Sequence, residues 1–240
     1  MPSFYTPNLT ENNENLIIRG DEFHHIKNVF RKQIGDEILL TNGSGILAKA
    51  EISEILKTEI AVNILSIKKL DISEQKIAIA FPFLKNKHDN LIVEKLTELG
   101  VKDFFPIITK RTIQKPKPIE KFEKITISAI KQCDNAFLPK VHQTVKFSHL
   151  FEILQDKNYQ PIIALETEKE KLLFDAVSNQ NLCIIIGPEG GFAEEEIAFI
   201  KEQNIPTFKL GNHVLRAETA AISAVSQLVS IYLKNNKNFY

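Results

Sequence analysis

Ile184-Ile185-Ile186-Gly187-Pro188-Glu189-Gly190-Gly191-Phe192, running on into Ala193-Glu194-Glu195-Glu196, is the stretch on which the fold turns. With Leu182 and Cys183 before them, the isoleucines make a short unbroken apolar run, the pattern of a strand covered on both faces. The glycines then bend the chain, and three glutamates open a helix, where acidic side chains complement the positive end of the helix dipole. A buried strand, a glycine turn and a helix together make one unit of a parallel α/β sheet.

The same rhythm extends on both sides. Strands are expected at Ile77–Phe81, Phe104–Ile108, Ile162–Leu165, Leu182–Ile186 and Thr207–Leu210, with helices between them. One helix, from about Asp89 to Leu99, puts Ile92, Leu96 and Leu99 on one face and stops at Gly100. A second spans about Glu120 to Cys133. The last, about Ala217 to Leu233, carries Ala217, Ala220, Ala221, Ala224, Val225 and Leu228 on one side, small enough for close packing. Before Asp71 the pattern is different: short strands at Leu16–Arg19, Glu37–Thr41, Ile46–Ile55 and Glu59–Lys68, a tight Asn42-Gly43-Ser44-Gly45 turn and one helical stretch near Asp21 to Phe30. The expectation is a small β-barrel over 1–71 followed by an α/β domain over 72–240.

Apolar residues make up 43% of the chain, ample for a buried core, and thirty basic residues balance thirty acidic ones. Neutrality argues against an indiscriminate polyanion binder. The balance hides a segregation, because residues 76–150 hold fourteen Lys and Arg against seven Asp and Glu, a net of +7. Within that segment, the prolines of Lys110-Arg111-Thr112-Ile113-Gln114-Lys115-Pro116-Lys117 favour an extended chain with its cations toward solvent. No apolar run approaches the roughly 20 residues of a membrane-spanning helix, and the N-terminus lacks a secretory pattern, so the chain reads as cytoplasmic. Cys133 and Cys183 stand alone and are expected as buried thiols, with no metal site implied.

The glycine turn lies where parallel sheets bind ligands, beyond the carboxyl end of a strand. It is neither GxGxxG nor a P-loop, it has no phosphate-holding lysine, and its acidic helix start repels phosphate. A neutral or cationic ligand fits better, and S-adenosylmethionine has a sulfonium and no phosphate. A second loop, Leu210-Gly211-Asn212-His213-Val214-Leu215-Arg216-Ala217-Glu218-Thr219-Ala220, also follows a strand and opens a helix. Taken singly, Thr219 or Glu218 could equally cap the helix, and Arg216 could be a surface ion pair.

Taken together, Gly187 to Phe192 and Leu210-Gly211 with Val214 to Ala220 closely resemble the RsmE family of ribosomal RNA uridine methyltransferases. His25, Val29 to Arg31, Gly35-Asp36 and Asn42 to Gly45 resemble its N-terminal pattern; Lys85, Glu94-Lys95, Glu98 to Val101, Arg111 and Gln132 resemble its middle. The chain departs from the family pattern at Asn135, where a basic residue is usual, and at Val214 and Ala217 around the arginine. The resemblance implies a PUA-like β-barrel followed by a SPOUT-type α/β domain with a C-terminal trefoil knot. The implied reaction is methyl transfer from S-adenosylmethionine to N3 of a uridine in 16S ribosomal RNA of the small ribosomal subunit. It also implies a homodimer formed through the knotted domain, with the alanine-rich last helix as a candidate interface.

On that basis the cofactor contacts are Leu165, Gly187, Pro188, Glu189, Gly190, Gly191, Leu210, Gly211, Val214, Leu215, Thr219 and Ala220. The catalytic candidates are Arg216, to stabilise charge on the uracil, and Glu218, to orient Arg216 or accept the proton. The RNA contacts are His25, Lys27, Arg31, Lys85, Lys87, Arg111, Lys115 and Lys117. No metal is required, because the leaving group is a neutral thioether. The alternatives are a related enzyme acting on ribose O2′ or transfer RNA, or a non-catalytic RNA-binding assembly factor.

Overall fold

The computed structural model describes residues 3–73, 75–177 and 180–235, and the chain divides into two compact units, 1–72 with 127–138 and 73–126 with 139–240. In the first unit, β1 (Ser3–Tyr5), β2 (Asn15–Arg19), β3 (Glu37–Thr41), β4 (Ile46–Ile55) and β5 (Glu59–Lys69) form one sheet in the order β1-β3-β4-β5-β2. β1 runs parallel to β3 and the other pairs are antiparallel. Along β4, Ile46, Ala48, Ala50 and Ile52 are buried, the period-two pattern of a sheet with one inward face. Register shifts at Lys49/Ala50 and Ile52/Glu54 add twist to the β4–β5 hairpin, and the sheet encloses Phe4, Ile18, Phe23, Ile38, Leu40 and Val62.

Residues 127–138 pack with this unit although they lie far along the chain. Gly45 N–H donates to Ala136 O at 2.9 Å and Leu138 N–H to Gly43 O at 2.8 Å. Gly45 has φ +99°, and a Cβ there would lie 2.7 Å from Leu70 O and 2.9 Å from the Phe137 ring, so only glycine fits. The single helix expected near Asp21 to Phe30 is instead α1 (Gly20–His24) followed by a wide turn over His25–Val29, where Phe30 N–H reaches His25 O at 2.9 Å. The wider turn keeps Phe23 and Ile26 in the core and leaves Val29 and Phe30 outside.

In the second unit, β6 (Ile77–Pro82), β7 (Asp103–Ile108), β8 (Lys140–Val141), β9 (Val145–Lys146), β10 (Gln160–Ala164), β11 (Leu182–Ile185) and β12 (Thr207–Phe208) form an all-parallel sheet. The order is β12-β10-β11-β6-β7-β8, with β9 also on β7. β6 and β11, adjacent at the centre, are buried along their whole length, as their unbroken apolar runs require. One face is covered by α2 (His88–Glu98), the start of α3 (Ile119–Gln132) and α7 (Ala217–Asn235). The other is covered by α4 (Phe147–Asp156) and α6 (Glu194–Glu202). A short α5 (Leu173–Ala176) packs on α7.

Three expectations change. Ala217, Ala221 and Ala224 of α7 lie in the unit's own core, where α7 packs on α2, so the alanine face is not available to a second copy. Cys183 is buried as expected, whereas Cys133 is exposed just past the end of α3. The last strand stops at Phe208 instead of running to Leu210.

At the amino end of β7, Asp103 joins three segments: His142 Nε2 contacts its Oδ1 at 2.5 Å and the Tyr159 hydroxyl donates to Oδ2 at 2.6 Å. Burial opposes the charged carboxylate, but these hydrogen bonds and the nearby positive charge of His142 and Lys157 outweigh it and hold its pKa below the usual 3.8. A carboxyl depressed in this way adds stability above its unfolded pKa and loses it as pH falls through the folded value. Asp103→Asn should therefore lower stability by about 1–3 kcal/mol at pH 7, with the gap to the parent closing as pH drops below 3.8. Urea unfolding at several pH values tests this, and equal midpoints at pH 7 would refute it.

Candidate active site

The two central strands lead in opposite directions: β6 is followed in the chain by its neighbour β7, whereas β11 lies against β10 on its other side. Such a reversal opens a crevice beyond the carboxyl ends of the strands. The loop 187–193 leaves β11 here and the loop 209–216 leaves β12, and between them lies a cleft of about 370 Å³.

Its lining includes Leu165, Gly187, Pro188, Glu189, Gly191, Leu210, Gly211, Val214, Leu215, Arg216 and Ala220, bringing together most of the residues marked in the sequence. The other marked residues of these loops do not line it. Gly190 sits on the outside of its turn, where its carbonyl accepts Arg111 Nη1 at 2.8 Å. Thr219 is exposed on α7, and Glu218 is 8% exposed with its carboxylate 3.1 Å from His88 Nδ1. The sequence reading missed Glu166, Thr167, Asn212 and His213, which also line the cleft. Lone polar residues in loops carry no periodicity, and only the strand ends bring them here.

The glycine turn is held from within and from without. Gly191 has φ +66°, and its N–H donates to Pro188 O at 2.8 Å. A Cβ on Gly187 would come within 3.0 Å of the Phe192 ring, so the absent side chain lets that ring close against the turn. The Glu196 carboxylate accepts Ala193 N–H at 2.8 Å and Lys110 N–H at 2.9 Å, tying the start of α6 to the segment after β7. On the other side, Lys85 N–H donates to Glu189 Oε1 at 3.4 Å. Lys85 introduces Asn86 and Lys87, with φ of +54° and +61°, two successive left-handed residues beside the cleft.

An RNA methyltransferase domain model matches residues 72–229, and an RNA methyltransferase PUA domain model matches residues 18–65. The chain belongs to the ribosomal RNA small subunit methyltransferase E family. The family member from Bacillus subtilis is 31% identical over 88% of this chain and 88% of its own, and that from Rickettsia conorii is 28% identical over 92% and 91%. Among solved structures, a methyltransferase from Legionella pneumophila in complex with the cofactor SAM is 28% identical, covers 95% of this chain and 96% of its own, and superposes with a TM-score of 0.84.

The basic residues marked as RNA contacts divide by what they already touch. In the second unit, Lys85, Lys87 and Lys115 are exposed. Lys117 is turned inward onto the fully buried Asp89, so the 110–117 segment does not hold all its cations toward solvent, whereas Lys110 stays exposed beside Glu195. In the first unit, Arg31 is exposed with φ +53°, Lys27 donates to Leu56 O at 3.1 Å, and His25 Nδ1 lies 3.1 Å from Lys131 Nζ.

Arg111 thus braces the glycine turn instead of projecting freely. Arg111→Ala should speed amide exchange at Glu189, Gly190 and Gly191 about tenfold, the value of one charge-assisted hydrogen bond, and leave β6 and β11 unchanged. Hydrogen-exchange mass spectrometry reads this directly, and unaltered protection of the turn would remove Arg111 from that role.

Proposed function

We propose that this chain is an S-adenosylmethionine-dependent, SPOUT-type methyltransferase acting on N3 of a uridine in 16S ribosomal RNA. The observation that carries the reading is the cleft itself, framed by two glycine-bearing loops at the carboxyl edge of the sheet in a chain of this family. Its chemistry fits the cofactor. Ile186, Phe208, Leu210 and Leu215 offer apolar surface for adenine, while Glu166 and Glu189 offer carboxylates for the sulfonium and ammonium charges. Lys209 supplies a cation for its carboxylate, and no lysine-bearing glycine loop is present to call for a phosphate.

When bound, the cofactor supplies an electrophilic methyl group on sulfur. This chain's residues must then bind the base, hold it in line and favour the anionic form of a weakly acidic N3. Arg216, exposed and lining the cleft, offers paired donors to a uracil carbonyl oxygen as charge builds there. Glu218, buried and taken up by His88, acts through position: it anchors the first turn of α7 and hence the Arg216 backbone. Lys85, Lys87 and Lys115 form the phosphate-contacting set of the second unit, with His25, Lys27 and Arg31 that of the first. The knot is what the family resemblance implies, and the parallel bridge between Leu172 and Lys209 lays the chain leaving β12 along the 165–172 segment. A homodimer through α7 would use its outer side, Thr219, Ser226 and Ser230, because the alanine side is occupied. Among the described residues no helix is long and apolar enough to cross a membrane, and the reading places the enzyme in the cytoplasm with the ribosome.

Arg216→Ala should lower methyl transfer by about 100-fold or more, with cofactor affinity changed by no more than about threefold and the fold intact. Radiolabelled transfer to small subunits from a strain lacking the gene measures the rate, and a reverse-transcription stop marks the N3 product, which blocks base pairing. Near-normal turnover of the variant would displace Arg216 from the reaction. An unchanged stop pattern between the parent and deletion strains would rule out uridine N3 as the target.

A further inference from the structure

Past the carboxyl end of β10 the chain makes a turn in which Glu168 N–H donates to Leu165 O at 3.2 Å. The two residues inside it, Glu166 and Thr167, are exposed and line the cleft. The segment that follows it is gathered by one carboxylate. Glu168 Oε1 accepts the N–H groups of Lys169, Glu170 and Lys171 at 3.0, 3.1 and 3.3 Å, and Oε2 accepts the Thr207 hydroxyl at 2.7 Å. Three successive N–H groups converging on one oxygen form a concave donor set that favours a negative charge. The other oxygen reaches across to β12.

That second contact matters because β12 is a two-residue strand at the sheet's edge, pairing with β10 through Ile163↔Thr207 and Ala164↔Phe208. So short a ladder gives little grip. Yet β12 delivers Lys209, Leu210 and Gly211 to the cleft beside the Leu165–Thr167 wall. The two walls run side by side, with Leu165 N–H donating to Phe208 O at 3.0 Å and Lys209 N–H to Lys171 O at 2.9 Å. Glu168 is the side chain that spans both.

We infer that Glu168 is a positioning residue for the cofactor: it clamps the 165–171 turn to Thr207 and so sets the spacing of two cleft walls. This rests on reading the cleft as the cofactor site. The Thr207 hydroxyl and then the backbone amides hold the Glu168 carboxyl down at about 2, so the clamp stays charged throughout the neutral range. The carboxylate lies at the surface and fills no part of the apolar core, so its loss is felt in the cleft more than in global stability.

The test compares the parent with Glu168→Ala, Glu168→Gln and Thr207→Val, measuring S-adenosylmethionine Kd by calorimetry and cofactor KM and kcat by methyl transfer. Glu168→Ala should raise Kd and KM about tenfold, or about 1.4 kcal/mol, while kcat at saturating cofactor stays within about twofold. Glu168→Gln keeps an acceptor for the amides and should recover to within about threefold of the parent. Thr207→Val, which removes only the cross-strand arm, should fall between them. An unchanged Kd in Glu168→Ala overturns the inference, as does a loss confined to kcat or to thermal stability. If the parent itself fails to bind, the cofactor reading falls, and this inference with it.

Discussion

The parallel pairing of β6 with β11, from Ile77↔Leu182 to Ala80↔Ile185, is the constraint on which the rest of the second unit depends. Both strands are buried on both faces, so their backbone groups have no water to turn to and must satisfy each other. The requirement fixes register to the residue. Once register is fixed, Gly187 and Phe83 emerge at the same edge of the sheet, and every loop that lines the cleft is anchored within a few residues of a strand end.

The two ends of this sheet are held by different chemistry. At the amino edge, Asp103 collects His142 and Tyr159, and His142 stacks on Phe105 with ring centroids 4.3 Å apart, so three segments are joined by charge-assisted hydrogen bonds with little need for movement. At the carboxyl edge several side-chain links run from carboxylates to the backbone amides of loops, as with Glu196 to Ala193 and Lys110, and Glu168 to Lys169, Glu170 and Lys171. Links of that kind shape loops without filling the space between them, which leaves room for a ligand.

The central features were legible because their signals are long or repeated. The β4–β5 hairpin, the apolar runs of β6 and β11 and the helical spacing of α2 all read directly from residue periodicity. The three residues of β1 and the two each of β8 and β9 are too short to carry a period, and the widened turn at His25–Val29 depends on where Phe23 and Ile26 must be buried. In the site, the glycine turn was visible through its pattern and Arg216 through the family resemblance. Glu166 and Thr167 were not, since a strand end places them and no local pattern announces them. Glu218 was marked to orient Arg216 or to accept the proton, and tertiary packing sets its carboxylate beside His88.

The pairing of Lys117 with buried Asp89 changes what the formal charge of the middle segment means. A cation that is already neutralised holds no phosphate and displaces no condensed ion from a nucleic acid when the two meet. Lys117 therefore adds nothing to the counterion release by which exposed cations draw in a polyanion.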